Sequence, residues 1–240
     1  MKPNLKVRRL AVLLIVAIVS LSSLAYDMAQ DELFITKEST KTTDVPRERD
    51  DLAAPTAQSI LDELTVKGRA PKTGYERGEF SSGWGRLAEC DLRNIILRRD
   101  LDDTQTDDNC RVVSGTLQDP YTGAQIEFTR GKTTSDDVQI DHVVALSNAW
   151  QTGAQLLSSE QRRSFANDPL NLVAVDGAAN QQKSDGDAAT WLPANKSFRC
   201  QYVARQIAVK QAYSLWVTSA EKLAMETVLR RCPGQQIPVQ

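Results

Sequence analysis

The only histidine in the 240-residue chain, His142, directly follows Asp141 within residues 138–144. An unperturbed imidazole titrates near neutral pH and can take a proton from water, while the adjacent carboxylate is a hard oxygen ligand suited to Mg²⁺ or Mn²⁺. Any imidazole chemistry at neutral pH therefore depends on this one position. Taken alone, such a pair is more commonly a structural hydrogen bond or a solvated surface position than a catalytic site.

Three further polar residues follow at ordered spacing. Asn171 comes twenty-nine residues after His142, Asn180 nine residues later, and Lys183 three residues after that. Considered singly, the first fits a turn cap, the second a helix cap and the third a solvated side chain. Their ordered spacing favours one joint site, and the last two would share a helix face because they are three residues apart.

Local patterns predict the elements that position these residues. The Asp-His pair ends one strand, residues 170–175 form a short apolar, β-branched second strand, Asp176-Gly177 is a turn, and a helix begins at Ala178. Together they predict a compact ββα unit. Neighbouring strand residues point to opposite faces, so the Asp-His pair can serve one site only if its strand ends or bends there.

This arrangement resembles the HNH nucleases, also called ββα-metal nucleases. The resemblance implies that Asp141 is the first metal ligand and His142 the general base. It makes Asn171 the middle residue that braces the loop and orients the base, and Asn180 the second metal ligand. Lys183 follows in the Asn-x-x-Lys arrangement of many members and is taken as part of the catalytic set.

A closer resemblance covers about residues 74–232. This stretch is similar to secreted actinobacterial HNH proteins related to the C-terminal domain of the modification-dependent GmrSD restriction enzymes. The similar segments are residues 66–75, Asp119-Pro120-Tyr121-Thr122-Gly123 and residues 189–193. The implied fold is α+β: a ββα-metal (HNH) nuclease core with a flanking hairpin and C-terminal helices, stabilised by disulfides.

The implied activity is hydrolysis of phosphodiester bonds in DNA with a Mg²⁺ or Mn²⁺ cofactor. His142 would activate water, and the metal on Asp141 and Asn180 would polarise the phosphate and stabilise the leaving oxygen. No recognition module is visible, so low sequence specificity is expected. The alternatives are a toxin-type or surface-anchored nuclease, with an immunity or inhibitor protein as partner, and a non-catalytic extracellular binding domain of the same fold.

The N-terminus predicts export. Four basic residues precede an apolar stretch over residues 10–19, and Ser23-Leu24-Ala25 fits a cleavage site, so residues 1–25 are expected to be a signal peptide. An uncleaved membrane anchor is the alternative. Residues 26–57 are predicted to be a disordered polar linker, residues 58–233 the nuclease domain and residues 234–240 a tail.

The four cysteines agree with an oxidising compartment. Three pairings are possible, and Cys90–Cys110 with Cys200–Cys232 is chosen because each bond closes a local loop. A zinc site is disfavoured, because no Cys-x-x-Cys pair occurs and the only histidine has another role.

The rest of the domain shows a hairpin pattern and two final helices. Residues 111–117 and 125–128 predict the hairpin, and Ser158 with Gln161 a capping box. The helices are expected over residues 196–215, with Tyr202, Ile207 and Ala212 inward, and from Ser219 to just before residue 233. All four tryptophans are expected to be core anchors.

Charge is the main objection to a nuclease. Without residues 1–25 the chain has 25 basic against 31 acidic residues, a net charge of −6. An acidic protein does not attract polyanions by its bulk charge. Residues 190–232 contain seven basic and two acidic residues, so a local basic face is expected there, with an ordinary solvated helix surface as the alternative.

Overall fold

The computed structural model describes residues 55–132 and 134–238. The predicted signal peptide and most of the predicted linker lie outside these residues. In chain order the elements are α1 (Ala57–Glu63), β1 (Arg86–Leu87), β2 (Cys90–Asp91), α2 (Leu92–Asp100), β3 (Leu101–Thr106), β4 (Val112–Gln118), β5 (Gln125–Thr129), β6 (Val138–His142), α3 (Leu146–Gln151), α4 (Ser159–Ala166), β7 (Leu172–Asp176), α5 (Gly177–Lys183), α6 (Arg199–Ala212) and α7 (Ser219–Leu229). Short 3-10 turns occur at Arg77–Glu79 and Ala154–Leu156.

The strands form small antiparallel sheets, with helices packed around them. The predicted hairpin is confirmed as β4 and β5, but β3 joins it to give the order β3-β4-β5. This third strand was missed because its sequence is acidic and most of its residues are exposed, so it lacks the apolar alternation of a half-buried strand. The helix α2 was also missed. The predicted capping box of Ser158 and Gln161 is confirmed at the start of α4.

The strands β6 and β7 pair antiparallel, and β7 leads directly into α5, which gives a ββα arrangement. Asp141 lies opposite Val173. The expected turn at Asp176-Gly177 is wrong, because Asp176 caps α5 by accepting a hydrogen bond from the Ala179 amide at 2.7 Å and the helix begins at Gly177. Glycine is needed there for close approach: a Cβ on Gly177 would lie 2.0 Å from the carbonyl oxygen of Asp136.

The core has a large cluster around α6, which packs against α1 and α7 and includes Val173 and Val175 of β7. Tyr202 and Ile207 are buried in it, as predicted. Ala212 is exposed, contrary to the prediction, because it lies beside Gln211 on the outward face of α6, while Val209 and Lys210 of the same turn are buried. None of the helices in residues 55–132 and 134–238 has the length and apolarity needed to cross a bilayer.

Both ends of the described chain pack onto this core. Ala57, the last residue of the predicted linker, is fully buried as the first residue of α1. Ile237, within the predicted tail, packs against the same cluster, and Thr56 pairs with Gln236.

The predicted disulfides, Cys90–Cys110 and Cys200–Cys232, are both present. The first ties β2 to the loop between β3 and β4, and the second ties the start of α6 to the end of α7. Neither cysteine pair lies within the ββα arrangement, so the bonds restrain the segments around it.

Candidate active site

A polar cavity of about 620 Å³, here called the main cavity, opens beside the ββα arrangement. It brings together three of the five predicted site residues, Asp141, His142 and Asn180, which are up to thirty-nine residues apart in sequence. The other polar and aromatic side chains that line it are Lys72, Tyr75, Arg77, Trp84, Arg93, Gln139, Ser147, Gln181, Ser184 and Asp185.

The end of β6 lets two neighbouring side chains reach the same cavity. The strand stops at His142 and the chain bends at Val143 and Val144. Because the strand ends there, the side chains of Asp141 and His142 can face the same site. Asn171, fully buried, holds this bend: its side-chain oxygen accepts a hydrogen bond from the Val144 amide at 2.8 Å, and its backbone carbonyl accepts one from the Val143 amide at 2.8 Å. Asn171 therefore braces the backbone just after His142.

The imidazole of His142 is held in one orientation. Its Nε2 lies 2.8 Å from the carbonyl oxygen of Ala166, which can only accept a hydrogen bond, so the ring proton is assigned to Nε2 and Nδ1 keeps its lone pair. Burial lowers the pKa of His142 to about 4, and the positive charge of Arg77 acts in the same direction. The ring is therefore neutral at neutral pH and can accept a proton at Nδ1.

Trp84 covers the His142 ring. The two rings are stacked, with centroids 5.9 Å apart and planes 11° from parallel. Trp150 is buried in the core as expected, and the half-buried Trp84 and Trp191 pack against core clusters; Trp216 is half-buried and belongs to none of the clusters of the described residues. Sequence patterns did not show the role of Trp84, because it is fifty-eight residues from the histidine it contacts.

Asp141 is fixed by two donors. The hydroxyl of Tyr121 donates to Oδ2 at 2.5 Å, and the ammonium of Lys183 lies 3.0 Å from Oδ1 and 2.9 Å from Oδ2. Burial raises the pKa of the Asp141 carboxyl above its ordinary value, and the Lys183 charge and the Tyr121 hydroxyl oppose that rise. The carboxylate is thus a buried, oriented group with one neighbouring positive charge.

Lys183 acts through Asp141. Its side chain is fully buried, and its ammonium also donates to the backbone carbonyl of His142 at 2.9 Å. It does not line the main cavity. Its contacts therefore place a positive charge beside Asp141 and hold the end of β6.

Asn180 lies on the cavity side of α5, where its amide nitrogen donates to Gln139 Oε1 at 2.9 Å. This hydrogen bond leaves the amide oxygen as the atom that can serve a ligand. No group of three or more His, Cys, Asp or Glu side chains arranged for a metal occurs in the described residues. An ion at this site would rest on two oxygen ligands, Asp141 and Asn180, which suits Mg²⁺ because that ion keeps several waters.

The segment Asp119-Pro120-Tyr121-Thr122-Gly123 is a turn that is hydrogen-bonded both to β6 and to the residue that caps α5. While Tyr121 holds Asp141, Asp119 accepts a hydrogen bond from the Asp176 amide at 2.9 Å, just before α5. Asp119 also accepts from the amide and the hydroxyl of Thr122, at 2.7 and 2.5 Å. The turn therefore sets the position of Asp141 relative to the helix that carries Asn180, a role that the sequence did not reveal.

The positive charges at the main cavity are Lys72, Arg77 and Arg93. None of the seven basic residues of 190–232 lines it, so the basic face expected there does not serve this site. Lys210, one of the seven, is fully buried and forms an ion pair with Glu221 at 3.0 Å. The cations that line the main cavity all precede β3 in the chain, and the carboxylates of Asp141 and Asp185 line it too.

We expect Tyr121→Phe to weaken the site without unfolding the protein. The ring remains in its aromatic cluster, but Asp141, the predicted first metal ligand, loses one donor, and changes to groups that support a metal ligand commonly cost 10–100-fold in metal affinity or activity. Isothermal titration with Mn²⁺ would measure the loss. Tyr202→Phe is the matched control, because Tyr202 is equally buried and its hydroxyl accepts from Gln206 instead. Equal effects of the two changes would contradict the positioning role.

The fold and the cavity define a disulfide-bonded α+β protein with a single neutral histidine held at a polar site. The chain belongs to the family described as GmrSD restriction endonucleases, C-terminal domain, whose model matches residues 91–228. An "Uncharacterized secreted protein" of Arthroderma benhamiae is 43% identical over 182 residues, which cover 75% of this chain and 86% of that protein. No solved structure gives a significant match. The matched family segment includes the ββα arrangement and Tyr121, whereas Arg77 and Trp84 precede it.

Proposed function

We propose that the chain is a secreted, metal-dependent endonuclease of the HNH, or ββα-metal, type that hydrolyses phosphodiester bonds in DNA with low sequence specificity. The observation that carries the proposal is His142, whose Nε2 is fixed on the Ala166 carbonyl while its ring lines the same cavity as Asp141 and Asn180. A neutral, immobilised imidazole beside two oxygen ligands is what hydrolysis of a phosphodiester needs. The family membership supports the same class of reaction.

In the proposed reaction His142 acts as the general base. Nδ1 takes a proton from water, the water oxygen forms a bond to phosphorus, and the bond from phosphorus to the 3′-oxygen breaks, so that the electron pair leaves with that oxygen. The proton then held on the imidazole is returned to solvent. Asn171 and Ala166 keep the ring and its loop in place, which is the positional contribution that lowers the entropic part of the barrier.

The residues fit one divalent cation, Mg²⁺ or Mn²⁺, held by Asp141 and Asn180. When bound, such an ion supplies positive charge against the non-bridging phosphate oxygen and the departing 3′-oxygen. Tyr121 and Lys183 already hold the Asp141 carboxylate, which has about four acceptor positions, so room remains for a third partner. The two positioning residues therefore orient the carboxylate without using all of it.

Secretion agrees with both disulfides and with the printed description of the Arthroderma benhamiae relative. Structural disulfides persist in oxidising compartments and are rare in the cytosol. The proposed export signal is residues 1–25, and cleavage there would release residues 26–240 from the membrane. If that segment stayed uncleaved, the same domain would be displayed at the cell surface.

We expect the mature protein, purified from culture medium, to convert supercoiled plasmid to nicked and linear forms with Mg²⁺ or Mn²⁺ and to lose this activity in EDTA. Readdition of Mn²⁺ should restore it. The His142→Ala protein, prepared in parallel, controls for contaminating nucleases. A pure wild-type protein that leaves plasmid intact with both metals would reject the enzymatic proposal and favour the alternative of a non-catalytic binding domain.

A further inference from the structure

A second cavity also borders the His142 ring. A cavity of about 380 Å³, here called the side cavity, is lined by Gly78, Ser81, Ser82, Gly83 and Ala166, together with four residues that it shares with the main cavity. The shared residues are Arg77, Trp84, His142 and Leu146. The two cavities thus meet at the imidazole, so a chain-like substrate bound across His142 would extend into both.

Arg77 lines both cavities, and its side-chain hydrogen-bond donors have no partner among the described residues, unlike those of Lys72 and Arg93. Lys72 is paired with Asp185 at 3.2 Å, and Arg93 donates to the carbonyl oxygens of Ser135 and Val138, both at 3.1 Å. Arg77 is exposed, and its guanidinium has neither a hydrogen bond nor an ion pair within the described part of the chain. A guanidinium presents five donors in a planar fork that matches phosphate oxygens.

The backbone that follows Arg77 is fixed by contacts at Glu79 and Phe80. Arg162 donates to the carbonyl oxygen of Glu79 at 3.0 Å and to its carboxylate at 3.2 Å. Phe80, buried in the core, packs against Phe165 with ring centroids 5.8 Å apart. An exposed side chain on a fixed turn loses less freedom on binding than one on a mobile loop.

We propose that Arg77 binds a backbone phosphate of the DNA strand next to the scissile phosphate, and that the side cavity receives this part of the strand. The inference rests on the proposed function and deepens it, because it names the direction in which the substrate crosses the site. It also explains how an acidic protein engages a polyanion: the local cations at the cavity attract DNA, and the bulk charge does not. Arg77 is a binding residue, distinct from the base and the metal ligands.

The test measures binding separately from cleavage. A fluorescein-labelled DNA duplex of random sequence is titrated with the His142→Ala protein in EDTA, and anisotropy gives Kd at several salt concentrations. Adding Arg77→Ala to this parent should raise Kd about tenfold and reduce the slope of log Kd against log salt by about 0.9, the value for one lost phosphate contact. Arg77→Lys should recover part of both effects, because it keeps the charge.

Arg98→Ala, added to the same parent, is the matched control. Arg98 is an exposed cation on α2 that lines neither cavity. The Arg98→Ala protein therefore loses the same charge as the Arg77→Ala protein but keeps the proposed phosphate contact. In the active protein, Arg77→Ala should raise KM by about tenfold with kcat within about twofold, since the interaction is made with bound substrate before the chemical step.

The outcomes separate two failures. A parent that binds DNA, with Arg77→Ala giving the same Kd and salt slope, overturns the Arg77 subsite and leaves the nuclease proposal standing. Equal weakening by Arg77→Ala and Arg98→Ala also overturns it, since only overall charge would then matter. A wild-type protein that neither cuts nor binds DNA overturns the proposed function and this inference together.

Discussion

His142→Ala is expected to lower the rate of DNA cleavage by about 10²–10⁴, the range for loss of a general base. The imidazole is the only one in the chain, and burial together with the Ala166 hydrogen bond keeps it neutral with Nδ1 as its acceptor. No other side chain that lines the main cavity is an imidazole with a ring nitrogen left to accept a proton. The measurement is the initial rate of plasmid nicking at saturating Mn²⁺.

Two controls separate chemistry from folding. The change leaves the Ala166 carbonyl without its partner, which costs about 1–3 kcal/mol of stability, so the variant should unfold earlier in urea but remain folded in buffer. Added imidazole should restore part of the lost rate by entering the vacated space as a free base. A variant that cuts within about threefold of the wild-type rate would remove His142 from the mechanism.

Asp141→Ala and Asn180→Ala should both lose activity, but only the first should lose several kcal/mol of stability. Asp141→Ala leaves the ammonium of Lys183 buried without its counter-charge, which typically costs 3–5 kcal/mol. Asn180 is half-buried and uncharged, so its removal affects mainly the metal. The free energy of unfolding in urea and calorimetric Mn²⁺ titration measure the two effects separately.

Raising Mn²⁺ should partly restore Asn180→Ala and restore Asp141→Ala much less, because a carboxylate contributes charge to the ion and an amide only a dipole. The double variant Asp141→Asn with Lys183→Met is the control for the buried pair. It removes both charges and should recover stability without recovering activity. Unchanged Mn²⁺ affinity in both Asp141→Ala and Asn180→Ala would reject the two-ligand site. If these two variants had the same free energy of unfolding, the destabilisation assigned to the unpaired Lys183 ammonium would be wrong.

The local parts of the fold could be predicted because their signals lie within a few residues. The capping box of Ser158 and Gln161 fixes the start of α4, and an apolar, β-branched run predicts β7 next to α5. The same local rules missed β3, whose polar sequence is held by pairing with β4 rather than by burial. They also placed a turn at Asp176, since a strand that runs into a capped helix has the same residue types as a strand followed by a turn.

The candidate site was predictable in its residues and only partly in its contacts. The order of the Asp-His pair, Asn171, Asn180 and Lys183 pointed to one site, and three of the five line the main cavity. The contacts that tune them come from distant segments. Tyr121 reaches Asp141 across twenty residues of chain, and Trp84 reaches His142 across fifty-eight. No periodicity encodes such pairs, because they form only when packed elements meet.

By itself the sequence determined which groups are available: one imidazole, an adjacent carboxylate, and four cysteines whose local pairing is the one observed. The tertiary structure alone decided the burial, the charge and the neighbours of these groups. It buried Lys183 against Asp141 instead of leaving it in solvent, it desolvated His142 so that the ring is neutral, and it placed Arg77 rather than the C-terminal basic residues beside the ring. The physical reason is that charge state and reach depend on burial and on neighbours within a few ångströms, and these are set by packing between segments far apart in the chain.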